Sequence, residues 1–334
     1  MQAPDSPIAV LGAGSWGTAL ALQFARGGHE VRLWGRDASQ LAVIDADGVN
    51  NRYLPDAPFP DNLHVEADLA ACLDGVRDIL VSVPSHGLRE TLIKVQPLLD
   101  NSARICWATK GFELSTGKLP HQVAGEILGD DRPMAVLSGP TFAKEVGKGL
   151  PTAMTIAATD TEFAEDLAEA LSGDSFRAYT SSDMIGVEVG GAVKNVLAIG
   201  AGISDGLGFG ANTRIALISR GLVEMTRLGV ALGASPDTFR GLAGMGDLVL
   251  TCTDDLSRNR RMGLALASGK TIEEAQEEIQ QVVEGVLAAK AVKQVADRMS
   301  VEMPICQQIY RILYDGVPPR EAVGALMRRA LKPE

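Results

Sequence analysis

Aromatic side chains are scarce in this 334-residue chain, at 4%, so its cores must rest on aliphatic side chains and closely packed small residues. Cations are outnumbered, 31 Lys and Arg against 42 Asp and Glu, and the formal charge is −11. That balance argues against nucleic acid as a main partner, because a phosphate backbone needs a basic face. An anionic small molecule is still allowed, provided the few cations are concentrated in one place. Only four cysteines occur, Cys72, Cys106, Cys252 and Cys306, with no CxxC among them and no metal-ligand spacing. A reduced protein is the simplest expectation. No window reaches the ~18 uncharged apolar residues that a membrane span requires. The start, MQAPDSPIAVLGAG, lacks the basic-then-apolar order of a signal peptide. The expectation is a soluble, cytoplasmic chain with no membrane span.

What is present is strand–helix alternation. IAVLGAG (from Ile8), HEVRLWG (from His29), DILVSVP (from Asp78), ARICWATKG (from Ala103) and PMAVLSGP (from Pro133) read as buried strands. Helical periodicity, as in WGTALALQFARGG, fills the segments between them. Near-continuous apolar strands alternating with helices imply a parallel sheet covered on both faces. TAMTIAAT and SFRAYTS read as further strands. From Gly186 onward the patterns are almost all helical. The fold class expected is α/β: a doubly wound dinucleotide-binding domain over residues 1–187, then an all-helical substrate domain over 188–334.

Gly12, Gly14 and Gly17 form GxGxxG directly after a strand and at the opening of a helix. The first glycine permits the tight turn, the second lets the backbone approach a pyrophosphate, and the third allows close helix–strand packing. Ser15 and Trp16 fill the variable positions, where backbone amides meet the anion. The second strand ends LWGRD, with Arg36 where many NAD binders place a carboxylate. An arginine there pairs with a 2′-phosphate, as NADP requires, or is a solvated loop residue; the adjacent Asp37 keeps NAD open. Ligands sit beyond the carboxyl ends of such strands, and Lys110 follows one in ATKGFE. It points into the crevice or lies on the surface.

The second domain raises one question. GGAVKNVLAIGAG, from Gly190 to Gly202, is apolar or glycine almost throughout, yet holds Lys194 and Asn195 in its middle. Drawn as a helix, it puts Gly190, Lys194, Leu197 or Ala198, and Ala201 on one face, small groups around one amine. The lysine either extends its head to water or, desolvated, has its pKa lowered towards that of a working base. Asp247, after a glycine-rich run, either caps a helix or orients Lys194 or a substrate hydroxyl. Ser257, Arg258, Asn259, Arg260 and Arg261 make a basic cluster in an acidic chain. Ser257 can cap the helix that follows, and the free amides with a guanidinium suit a phosphate; a solvated charged face is the alternative. Glu284, opening a later apolar helix, is a helix-start acid or a hydrogen-bond acceptor for the cofactor.

GAGSWGTALA, WATKGFE, SGPTFAKEV, GGAVKNVLAIGAGISDGLGFGANTRIALISRG, GMGDLVLTCT and SRNRRMG resemble the bacterial NAD(P)-dependent glycerol-3-phosphate dehydrogenases through essentially the whole chain. The resemblance implies interconversion of sn-glycerol 3-phosphate and dihydroxyacetone phosphate with NADP(H) or NAD(H), supplying glycerol 3-phosphate for phospholipid synthesis. It implies Lys194 as proton acceptor, with Lys110, Gly139, Thr141, Asp247, Ser257, Arg258 and Asn259 on the substrate. Cofactor positions are Ser15, Trp16, Arg36, Lys110, Ala143, Arg258, Val282 and Glu284, and a homodimer is implied as well. Trp16 stands where relatives often carry tyrosine, and Arg36 where the residue can be histidine. Two rivals share parts of this pattern. A β-hydroxyacid dehydrogenase also uses a lysine on its first interdomain helix but acts on a carboxylate. A nucleotide sensor would need neither Lys194 nor the arginine cluster.

Overall fold

The computed structural model describes residues 6–330, so the outermost ends of both expected domains lie outside the described residues. The chain divides into two compact units: residues up to Lys110 with Pro120–Val187, and Gly111–Leu119 with Glu188 onward. The segment 111–119, counted with the first domain on sequence grounds, groups with the second. Arg298 shows why: its guanidinium donates to the carbonyls of Thr116 at 3.0 Å and Gly117 at 2.9 Å.

In the first unit the strands are β1 (Ile8–Leu11), β2 (Val31–Trp34), β3 (Leu63–Val65), β4 (Asp78–Val81), β5 (Arg104–Trp107), β6 (Met134–Ser138), β7 (Thr152–Ala158) and β8 (Phe176–Ser181). They form one sheet in the order β3-β2-β1-β4-β5-β6-β7-β8. Its helices are α1 (Ser15–Arg26), α2 (Ala38–Asp47), α3 (Leu69–Leu73), α4 (Ser85–Val95), α5 (Pro120–Leu128), α6 (Ala143–Gly147) and α7 (Thr161–Leu171). Every residue of β1 and β5 is buried, as helices on both faces require. The edge strand β8 buries only Phe176 and exposes Arg177, Tyr179 and Thr180.

The sheet is not wholly parallel, contrary to the sequence expectation: β7 runs antiparallel to β6, with Ala135 opposite Ala158. The connection explains the reversal. A parallel return must carry the chain back along β6, about 17 Å for five residues. The 13 residues between β6 and β7, 139–151, hold no helix longer than the five residues of α6, whereas a parallel return is normally made by a crossover helix laid along a face of the sheet, so the chain re-enters from the end it left. β3, three residues at the other edge, is too short for alternation to reveal.

The second unit is helical: α8 (Met184–Gly206), α9 (Ala211–Ala231), α10 (Asp247–Thr253), α11 (Arg258–Ala267), α12 (Ile272–Ile279), α13 (Glu284–Arg298), α14 (Pro304–Tyr314) and α15 (Pro319–Met327). α8 is long and apolar enough by composition to cross a membrane, but 94% of its apolar window is buried within the protein. It is the core helix of this unit. The four cysteines are free and buried.

Candidate active site

In the first unit the sheet order reverses between β1 and β4, both flanked by parallel neighbours, which is where doubly wound sheets open a crevice beyond their carboxyl ends. The glycine loop follows β1 there. A side chain on Gly12 (φ +131°) would meet the Ser82 carbonyl at 2.2 Å, and one on Gly17 the Gly12 carbonyl at 1.9 Å. These two glycines are demanded by the protein's own packing. Gly14 differs: a Cβ there would meet nothing within 4 Å. Its lack of a side chain therefore leaves room for something outside the chain, and the loop fits a pyrophosphate. Gly14 is also the N-cap of α1, and no side chain caps that end. Ser15 and Trp16 form the first turn, half-buried.

Other strand ends carry the remaining residues of this group. Arg36 lies exposed just beyond β2. Asp37 is the N-cap of α2, its carboxylate accepting from the amides of Ser39 and Gln40, both at 3.1 Å. The Gln40 amide, and then the Ser39 hydroxyl, hold that carboxyl below its usual range. Capping thus engages the acid that kept NAD open on sequence grounds. Lys110, half-buried, lies three residues past β5, after Thr109, whose hydroxyl donates to the Val83 carbonyl at 2.7 Å. Gly139 and Thr141 follow β6, with the Thr141 hydroxyl donating to the Gly139 carbonyl at 3.2 Å. Ala143 opens α6.

In the second unit α8 places Lys194 among apolar neighbours, 7% exposed. It does not extend to solvent. Its Nζ donates to Asp247 Oδ1 and, at 3.1 Å, to Thr251 Oγ1. Thr251 in turn donates to the Asp247 carbonyl at 2.6 Å, which aims its lone pairs at the amine. Asp247 is 1% exposed. An ammonium and a carboxylate at this depth would each cost several kcal/mol unpaired, so each requires the other. Desolvation favours the neutral amine, as expected from the sequence, but the buried carboxylate beside it favours the protonated form. Asp247 is not the cap of α10, a place taken by Gly246; it is the helix's first residue.

Close backbone approach makes this pairing possible. A Cβ on Gly190 would meet the Ala243 carbonyl at 2.4 Å, so α8 lies directly against the turn that delivers Asp247. About three turns further along α8, Gly202 and Gly263 let α8 and α11 cross backbone to backbone. Ser257 caps α11 through the Arg260 amide at 3.2 Å. The arginine cluster then divides by helical position. Arg260 turns inward to Asp205 at 2.7 Å and to Asp255, a structural tie. Arg258 and Arg261 are one turn apart and half-buried. Asn259 donates to Asn195 Oδ1 at 2.9 Å and accepts the Gly285 amide at 2.8 Å, linking α8, α11 and α13. That link sets Glu284, half-buried at the start of α13, beside the Asn259 carboxamide, with exposed Val282 preceding it. Burial pushes the Cys252 thiol up to about 12, so it stays protonated and is no nucleophile.

Two family models account for nearly all of the chain. The N-terminal model of NAD-dependent glycerol-3-phosphate dehydrogenase matches residues 7–164, and the C-terminal model matches 183–324. The chain belongs to the NAD-dependent glycerol-3-phosphate dehydrogenases. Among members of this family, glycerol-3-phosphate dehydrogenase [NAD(P)+] of Klebsiella pneumoniae is 58% identical, covering 100% of this chain and 99% of its own length. The crystal structure of the Coxiella burnetii glycerol-3-phosphate dehydrogenase superimposes with a TM-score of 0.94 at 51% identity, over 97% of this chain and 99% of that one. The enzyme from baker's yeast, at 26% identity, still gives 0.84, over 97% and 99%.

Within this family frame, sequence reasoning missed Thr251 as a partner of the lysine. The signal was present: it stands four residues after Asp247 on an apolar helix, the spacing that stacks two side chains on one face. Asn195 was visible as the second polar residue of the opening stretch, but nothing local pointed to its tie with Asn259, 64 residues away.

Proposed function

We propose that this protein interconverts sn-glycerol 3-phosphate and dihydroxyacetone phosphate with NADP(H) or NAD(H), supplying glycerol 3-phosphate for phospholipid synthesis in the cytoplasm. The observation that carries the reading is the buried Lys194 held by Asp247 and Thr251, in a chain whose full length matches the family.

The glycine loop, through Gly12, Gly14, Ser15, Trp16 and Gly17, holds the pyrophosphate, and exposed Arg36 meets the ribose end. Ala143, Lys110, Arg258, Val282 and Glu284 complete the cofactor contacts. A bound nicotinamide supplies or accepts the hydride. Arg258, Asn259 and the first amides of α11 bind the substrate phosphate, while Gly139, Thr141 and Ser257 position the triose. In reduction, protonated Lys194 donates its proton to the oxygen of the forming alcohol, and Lys110 stabilises the negative charge that develops there. In oxidation, Lys194 in its neutral form takes the hydroxyl proton. Asp247 balances its charge in the first direction and orients it in both. A homodimer belongs to the same proposal, supported by the half-exposed aliphatic side chains of Ile215, Val223 and Val230 on one side of α9.

Purified protein given dihydroxyacetone phosphate with NADPH, and separately with NADH, tests the reading by loss of the reduced-nicotinamide absorbance. Turnover is expected with both, and with no 3-hydroxyacid in the reverse assay. Oxidation of hydroxyacids in place of glycerol 3-phosphate would transfer the protein to the other dehydrogenase class.

A further inference from the structure

Several polar side chains of the first unit are buried without a role in the proposed site, and Asn50 is the one among them that reaches into the glycine loop from another element. Asn50 has no exposed surface. It sits in the connection between α2 and β3, in a loop closed by an isolated antiparallel bridge between Val49 and Pro58 and by the Phe59 amide on the Gly48 carbonyl at 2.8 Å. Its own carbonyl accepts from the amides of Tyr53 and Leu54, at 3.1 and 2.8 Å. The backbone carrying this residue is therefore held on both sides. Its Nδ2 donates twice: to the Ala13 carbonyl at 3.0 Å and to Thr18 Oγ1 at 2.9 Å. The orientation of the carboxamide is decided by chemistry, since a carbonyl only accepts and must face the nitrogen.

Both partners belong to the glycine loop and its helix. Ala13 lies between Gly12 and Gly14, and the Thr18 amide closes the first turn of α1 on the Gly14 carbonyl at 3.0 Å. A stretch so rich in glycine has much backbone freedom to lose on ordering. In a trans peptide the carbonyl and the following N–H point to opposite sides. Holding the Ala13 carbonyl towards Asn50 thus turns the Gly14 N–H the other way. Gly14 is the position whose surroundings are open.

We propose that Asn50 is a positioning residue for the cofactor: its carboxamide locks the glycine loop in the shape that presents the loop amides to the dinucleotide pyrophosphate. The inference rests on the dinucleotide reading of that loop. It places the ordering of the loop before binding, so that the cofactor does not bear that entropy.

The test compares two variants by the equilibrium Kd for NADPH and by steady-state kinetics. Asn50→Ala loses both bonds. Thr18→Val loses the buried Thr18 bond but keeps the tie to Ala13. Asn50→Ala is expected to weaken NADPH binding about tenfold, with the loss in the KM for NADPH and not in the KM for dihydroxyacetone phosphate. Thr18→Val is expected to lower Tm while its Kd stays within about twofold of wild type. Asn50→Ser, which is too short to reach Ala13, is read in the same way should the alanine variant not fold. Wild-type affinity in the Asn50 variants, or equal weakening in Thr18→Val, overturns the proposal. Wild-type protein that binds neither NADPH nor NADH overturns the dinucleotide reading and this inference with it.

Discussion

At the scale of single residues, the proposed chemistry turns on Lys194. An amine in an apolar helix has two outcomes open to it, escape to water or retention by a partner, and burial at 7% exposure beside Asp247 selects the second. Lys194→Ala removes the proposed proton donor without touching the glycine loop. It is expected to lower kcat by roughly 10²–10⁴-fold while the Kd for NADPH stays at the wild-type value; near-normal turnover would remove Lys194 from the mechanism. Asp247→Asn is nearly isosteric but uncharged, so the protonated amine loses its counter-charge. The alkaline limb of the reduction profile should then move to lower pH. An unshifted limb would mean that the carboxylate only aligns the amine. The residue types here were legible in sequence, because a lysine amid glycine and aliphatics has few explanations. Their pairing was not, since Lys194 and Asp247 are 53 positions apart.

At the scale of elements, helix ends and crossings set the geometry. Strands and helices of ordinary length were readable from their periodicity, and Ser257 was readable as a cap from its place before RNRRMG. The direction of β7 was not, because it depends on how far the preceding connection reaches. One helix start has a pH-dependent cap. Glu224 of α9, 3% exposed, accepts from the amides of Ile305 at 2.7 Å and Cys306 at 3.1 Å at the start of α14. Burial raises its carboxyl from 4.5 to about 7, against the lowering effect of those amides. The folded protein therefore binds this proton more tightly than the unfolded chain does. The resulting stabilisation is complete below about pH 4.5 and is lost as pH rises to about 7. Calorimetry across that interval should show wild-type stability falling relative to Glu224→Gln, by at most about 3 kcal/mol. Parallel curves for the two proteins would refute the assignment.

At the scale of the molecule, the acidic balance and the phosphate substrate are reconciled by local concentration of charge. Of the arginines around position 260, Arg260 is consumed by Asp205 and Asp255, and the proposed phosphate site draws on Arg258 at the helix start. The proposed dimer is also a property of the whole surface. Ile215→Asp combined with Val223→Asp puts charge where aliphatic side chains are 54% and 40% exposed. Sedimentation should give a dimer for wild type and a monomer for the double variant. A wild-type monomer, or an undisturbed dimer, would remove α9 from the interface.

The sequence by itself determined the classes of structure and the chemistry available: apolar strands between helices, a glycine loop where a strand meets a helix, and one amine in an apolar helix. These are local properties, written in the period of the side chains and the conformations that glycine allows. Only the tertiary structure decided which polar groups meet. A carboxylate 53 residues away holds Lys194, a carboxamide 37 residues away ties down the glycine loop at Ala13, and Arg260 turns inward to Asp205. Buried polar groups must find partners wherever packing brings them, and packing ignores distance along the chain.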